Sequence, residues 1–160
     1  MRQNFHGIRA YRARMAACPF CAIVRGESPA EEVLRDDVAV AFLDRAPLFE
    51  GHVLVVPVGH VVTLPELRDV GPFFERVQRI AAVMPAALGA QGTFVANNNV
   101  VSQSVAHLHV HVVPRTKGDG LRGFFWPRQT YAEGEAARTA AQLRAALLRD
   151  EGASVYPATG

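Results

Sequence analysis

Three of the chain's six histidines stand at alternate positions in one short segment, His107, His109 and His111, within Gln103-Ser-Val-Ala-His-Leu-His-Val-His-Val-Val-Pro-Arg115. In an extended strand alternate side chains share a face. These rings would therefore follow one another at roughly 6.6–6.8 Å, while Leu108, Val110 and Val112 bury on the other side. A neutral imidazole is a nucleophile near pH 7, a proton donor or acceptor, and a metal ligand. The pattern thus suits a nucleophile held on a rigid element, or a metal site built from two or three of the rings. The plainest alternative, a polar face on a half-exposed strand, accounts poorly for so many of the histidines in one place. A second cluster, Cys18-Pro-Phe-Cys21, offers two thiols at a spacing shared by metal sites, redox pairs and small buried thiols.

The elements that must position these residues follow from the apolar pattern. Val33–Leu34 and Val38–Leu43 form a hairpin around Arg35-Asp36-Asp37. His52-Val-Leu-Val-Val-Pro-Val58 is a nearly unbroken β-branched run, as expected of a buried central strand. A helical region begins at Leu64–Leu67. From Pro72, the residues Phe73, Val77, Ile80, Ala81 and Met84 recur at helical spacing, with Pro85 expected to end or kink the helix and Gly89 or Gly92 to close it. Thr93–Ala96 is a short strand, and His107–Val113 a strong one stopped by Pro114. Ala132–Arg149 predicts a C-terminal helix. This order predicts an α+β domain with a mainly antiparallel sheet, a long central helix and a C-terminal helix.

Bulk properties bound the function. The chain has 160 residues, of which 49% are hydrophobic, with a formal charge of +2. That size can bury about 70% of the unfolded surface in one domain. The charge tolerates an anionic ligand but is too small to argue for nucleic acid or a membrane surface. Residues 1–17 read as a basic, solvated extension carrying Arg2, Arg9, Arg12 and Arg14, residues 18–150 as the folded domain and residues 151–160 as a tail. Met15 is a second possible start. The extension lacks the apolar stretch of a secretory signal, so the expected compartment is the cytoplasm, where two cysteines are thiols or metal ligands rather than a disulfide.

Residues 107–113 match the pattern His-φ-His-φ-His-φ-φ in full. With Phe42-Leu-Asp-Arg-Ala-Pro47, Gly51-His-Val-Leu-Val-Val-Pro-Val-Gly-His60 and the opening Cys18-Pro-Phe-Cys-Ala-Ile23, the chain resembles the histidine-triad (HIT) nucleotide hydrolases and transferases from about Cys18 to Arg115. The resemblance implies a HIT-like fold and a function as a nucleotide-binding hydrolase, cleaving nucleoside phosphoramidates or dinucleoside polyphosphates at the α-phosphorus. His109 would be the nucleophile, forming a nucleotidyl-histidine. His111, Gln103 and Ser104 would donate to the phosphate and the leaving group, and His52 would hydrogen-bond within the triad network. Asp44 would take the ribose hydroxyls, Phe42 and Leu43 would wall the base, and Asn97 would lie near phosphate or ribose, with Asn98 and Asn99 as competitors.

The resemblance further implies a closed Cys18, Cys21, His60, His107 set for structural Zn²⁺, no organic cofactor, and a homodimer in which the cluster Gly123-Phe-Phe-Trp-Pro-Arg128 reaches the leaving-group side. The partner is expected to be a purine nucleotide rather than nucleic acid or membrane. Base preference and leaving group are not legible. Transfer of the nucleotide to another acceptor is the rival within enzymes, although the galactose-1-phosphate uridylyltransferase branch carries Gln where His111 stands. A low-turnover nucleotide-binding scaffold and a plain zinc module are the rivals outside them. Ser102 replaces the glycine that relatives place before Gln103. A loop from Asn97 to Gln103 without glycine is expected to avoid positive φ.

Overall fold

The computed structural model describes residues 18–121 and 130–150. The basic extension 1–17, the cluster Gly123–Arg128 and the tail 151–160 lie outside the described residues. The chain divides into two compact units, one up to Asp119 and a second from Gly120 onward.

Helix α1 (Pro19–Val24) opens the first unit, followed by β1 (Glu32–Arg35), β2 (Ala39–Leu43), β3 (Val53–Pro57), a 3-10 turn (Leu64–Glu66), helix α2 (Val70–Leu88), β4 (Gly92–Asn97) and β5 (Val110–Arg115). The five strands form one antiparallel sheet in the order β1-β2-β3-β5-β4. Asp36 closes the β1–β2 hairpin, its Oδ1 accepting the Val38 and Ala39 N–H groups at 2.9 Å each. This local bond is why aspartate serves in such a turn.

The period of two along each strand sends residues to two apolar layers. Ala39, Ala41, Val53, Val55, Val110 and Val112 face α2, packing with Phe73, Val77, Ile80 and Met84. Val40, Phe42, Leu54 and Val56 face α1, packing with Cys18, Phe20, Cys21 and Ile23. Strands β2 and β3 are thus covered on both faces, which explains their unbroken apolar runs. Because Leu108, Val110 and Val112 belong to the α2 layer, the odd-numbered histidines must face the α1 side.

Three local expectations change. Helix α2 continues through Pro85 to Leu88 and ends at Gly89 in the left-handed conformation (φ 66°). Pro85 lies on the exposed side in the last turn, where a lost backbone bond costs least. Strand β5 begins at Val110 rather than His107. Extending the β3–β5 register beyond Val55–Val110 would set Pro57, which has no N–H, opposite Leu108; instead Leu108 N–H donates to Val61 O at 2.6 Å. Nor does Pro114 stop the strand. It pairs with Thr93 of β4, and because β3 ends opposite Val112, β5 has a neighbour on one side only at that point.

In the second unit, helix α3 spans Glu135–Asp150. The Glu135 side chain accepts the Ala132 N–H at 2.8 Å, reaching back to the segment that precedes the helix.

Candidate active site and metal cluster

His109 leaves the α1 side of the sheet just before β5. Its Nδ1–H donates to the His107 carbonyl at 2.7 Å, so in the neutral ring the lone pair is on Nε2. The ring is only 2% exposed, yet it lines a cavity of about 690 Å³ instead of the apolar layer. Phe20 of α1 presents an edge to it, with ring centroids 5.3 Å apart.

His111 is ordered from behind by a chain of hydrogen bonds. Leu48 N–H donates to His52 Nδ1 at 3.1 Å, so the His52 proton resides on Nε2. That nitrogen lies 2.9 Å from His111 Nδ1 and donates to it, placing the His111 proton on its own Nε2 as an outward donor. Burial pushes the His111 imidazolium down to about 4, assisted by the neighbouring His109 and His52, and burial likewise lowers His52. The two rings are therefore neutral near pH 7, as this directional chain requires. Just beyond β2, Asp44 Oδ2 sits 3.7 Å from His52 Nδ1, the atom that accepts the Leu48 N–H.

The cavity unites most of the residues expected from sequence. His109, His111, Ser104 and Asp44 supply polar atoms, and Phe42 and Leu43 stand in its wall with Phe20, Ile23 and Leu54. Asp44 Oδ1 accepts the Ala46 N–H at 2.9 Å, which steadies the carboxylate and leaves Oδ2 for a ligand. Gln103 and Asn97 are placed otherwise. The Gln103 amide is committed to backbone at both ends, Nε2 to Val62 O at 2.7 Å and Oε1 to Val100 N at 2.9 Å. Asn97 Nδ2 donates to His109 O at 3.0 Å, while its buried Oδ1 has no partner. Of the competing asparagines, Asn98 binds Ser102 O and Asn99 accepts the Leu64 N–H. Phe20 went unassigned in the sequence. Its signal was the pair Phe20 and Ile23, one helical turn apart beside the Cys-x-x-Cys.

The loop that carries Gln103 and Ser104 also departs from expectation. Without any glycine, it takes positive φ at Val100 (68°) and Ser102 (60°). The Gln103 bonds across the loop hold it there despite the steric cost.

Beneath α1, Cys18, Cys21, His60 and His107 bring one donor atom each to within 4.8 Å of the others. Cys18 Sγ and Cys21 Sγ are each 3.5 Å from His107 Nδ1, and Cys21 Sγ is 3.2 Å from His60 Nδ1. A tetrahedron with zinc–sulfur bonds of about 2.3 Å and zinc–nitrogen bonds of about 2.0 Å has sulfur–nitrogen edges of roughly 3.5 Å, so the spacing fits. The tautomer fits as well: His107 Nε2–H donates to Pro57 O at 3.1 Å, freeing Nδ1. Burial, with Cys18 beside it, pushes the Cys21 thiol up to about 12. A bound cation reverses that preference and draws out the thiolate. His109 is not part of this cluster.

The HIT domain profile matches residues 25–118, more than half of the chain. The chain belongs to the HIT family. A HIT-like protein of Methanocaldococcus jannaschii is 41% identical over 107 residues, which cover 64% of this chain and 82% of that protein. The adenosine 5'-monophosphoramidase of Schizosaccharomyces pombe is 32% identical over 118 residues, 69% of this chain and 84% of its own. The crystal structure of a zinc-bound histidine triad family protein from Mycobacterium smegmatis superposes with a TM-score of 0.63 at 35% identity, covering 82% of this chain and 99% of the other. The α+β architecture with its antiparallel sheet is thus the HIT fold, and no helix among the described residues is long and apolar enough to cross a membrane.

Proposed function

We propose that this protein is a nucleotide hydrolase acting at the α-phosphorus of nucleoside phosphoramidates or dinucleoside polyphosphates through a nucleotidyl-His109 intermediate. The observation that carries the reading is the hydrogen bond from His109 Nδ1–H to His107 O, which leaves an unprotonated Nε2 in a 690 Å³ cavity. That nitrogen attacks phosphorus and forms the N–P bond. The bond to the leaving amine or phosphate breaks, and the departing group takes up a proton from solvent. Water then attacks the same phosphorus and gives up a proton to solvent, the N–P bond breaks, and the nucleoside monophosphate leaves with His109 restored. His111 Nε2–H and the Ser104 hydroxyl donate toward the charge that develops on the phosphoryl oxygens and the leaving group. Asp44 Oδ2 accepts ribose hydroxyl protons, and Phe20, Ile23, Phe42 and Leu54 enclose the base. In this reading Gln103 and Asn97 position the phosphate loop and the His109 backbone. The phosphoramidase activity named for the S. pombe relative favours a phosphoramidate.

Cys18, Cys21, His60 and His107 would hold a structural zinc ion, which with four protein donors has no open position for substrate. The name of the M. smegmatis relative and the S···N spacing support this assignment. Homodimerisation is part of the same proposal. The outer edge of β4 has no strand partner among the described residues, and Val95 is exposed there. Light scattering that returns a monomer mass would remove it.

Single-turnover mixing with an adenosine phosphoramidate labelled at phosphorus tests the mechanism. Acid-labile label appears on the parent protein and is absent in His109→Ala, whose turnover falls by at least about 10³-fold. Label on His109→Ala, or turnover by the parent with no trapped label at any time, defeats it. Adding phosphate or an alcohol as acceptor separates hydrolysis from transfer by the product formed.

A further inference from the structure

The cavity and the Cys/His cluster share one wall. Helix α1 has only six residues, and it carries both Cys21 and, with its cap Cys18, half of the cluster. The same turn lends Pro19, Phe20 and Ile23 to the cavity. Phe20 lies between the two cysteines in sequence and touches rings of both sites: its centroid is 6.1 Å from His107, 5.3 Å from His109 and 5.5 Å from Phe42. A second link runs through His107. Its Nδ1 faces both cysteines, while its carbonyl receives the His109 Nδ1–H that sets the nucleophile's tautomer. A helix this short does not hold itself in place. Its position depends on Phe20 and Ile23 in the apolar layer, on the Arg35 guanidinium that donates to Ile23 O and Val24 O at its C-terminal end, and on whatever joins Cys18 and Cys21 to His60 and His107.

Resting on the nucleotide reading above, we propose that metal and nucleotide binding are thermodynamically coupled through α1, with Phe20 as the positioning residue that transmits the coupling. Joining the four donors fixes the pitch of α1 and so presents Phe20 to the cavity. A nucleotide lying against Phe20 in turn holds α1 over the cluster. Linkage requires that each ligand raise the affinity for the other by the same factor.

The test uses the full chain, zinc-loaded and chelator-stripped under reducing conditions. Calorimetry gives the AMP dissociation constant of each form, and competition with a chromogenic chelator gives zinc affinity with and without saturating AMP. The expected result is AMP binding at least about fivefold weaker in the stripped chain, and zinc held tighter by the same factor when AMP is present. Equal AMP affinity in both forms overturns the proposal, as does a purified chain that retains no zinc. Should the stripped chain lose its fold by circular dichroism, zinc-loaded Phe20→Ala decides the matter. It is expected to keep its metal, to bind AMP more weakly, and to show a smaller effect of AMP on zinc affinity. An undiminished effect in that variant overturns the proposal. A loaded parent that does not bind AMP at all removes the nucleotide reading itself, a result distinct from binding without coupling.

Discussion

At the level of single residues, hydrogen bonds assign the protons of the candidate site. Two hydrogen-bond chains, Leu48 to His52 to His111 and His109 to the His107 carbonyl, leave a lone pair on His109 Nε2 and a proton on His111 Nε2. In the proposed reaction, reversing either tautomer would turn nucleophile into donor or donor into acceptor. His52→Phe keeps bulk but removes the donor to His111, and should lower turnover by about 10²-fold with little change in AMP affinity. Steady-state kinetics beside calorimetry read the two effects separately. Gly51 is constrained for another reason. It has φ 86°, and a Cβ there would meet Leu88 Cδ1 at the end of α2. Gly51→Ala is therefore expected to destabilise by about 1–2 kcal/mol in urea unfolding, from left-handed strain, since the exposed Leu88 side chain can move aside.

Among the elements, the loop from Asn97 to Gln103 shows how a backbone conformation can be imposed. Val100 and Ser102 occupy the left-handed region although neither is glycine, and for a β-branched valine this is the costlier case. Gln103 holds one end of the strained stretch through the Val100 N–H and ties the loop to Val62 O through its other amide end. Relieving the strain should stabilise the fold: Ser102→Gly and Val100→Gly are each expected to raise unfolding free energy by about 1 kcal/mol. A denaturation midpoint unchanged or lowered in both would show that the loop carries no such strain. Helix α1 is the opposite case, a six-residue element held from outside, by Arg35 on the carbonyls of Ile23 and Val24 and by the burial of Phe20 and Ile23.

For the whole molecule, burial of imidazoles makes stability depend on pH. His111 falls from 6.5 to about 4 on folding. Between those values the unfolded chain binds more protons than the folded one, so stability rises with pH and is progressively lost on acidification through that window. Replacing the ring by an amide removes this contribution. His111→Gln should show a shallower fall in unfolding free energy from pH 6.5 towards 4, by up to about 1.4 kcal/mol per pH unit. Parallel curves for parent and variant would contradict it.

The two-sided apolar runs of β2 and β3, the helical spacing of Phe73, Val77, Ile80 and Met84, and the alternation of His107, His109 and His111 were legible because each is a repeat set by local geometry. The same repeats fixed which face the histidines take, since Leu108, Val110 and Val112 had to bury. What the chain alone left open depended on partners distant in sequence. Pro57 ends the β3–β5 ladder early, Gln103 is spent on Val62 and Val100, and Phe20 reaches His109 across 89 positions. Hydrogen-bond commitments and ring contacts of that kind have no period to read. They are decided only when the sheet brings α1, the loop and the histidines onto one face.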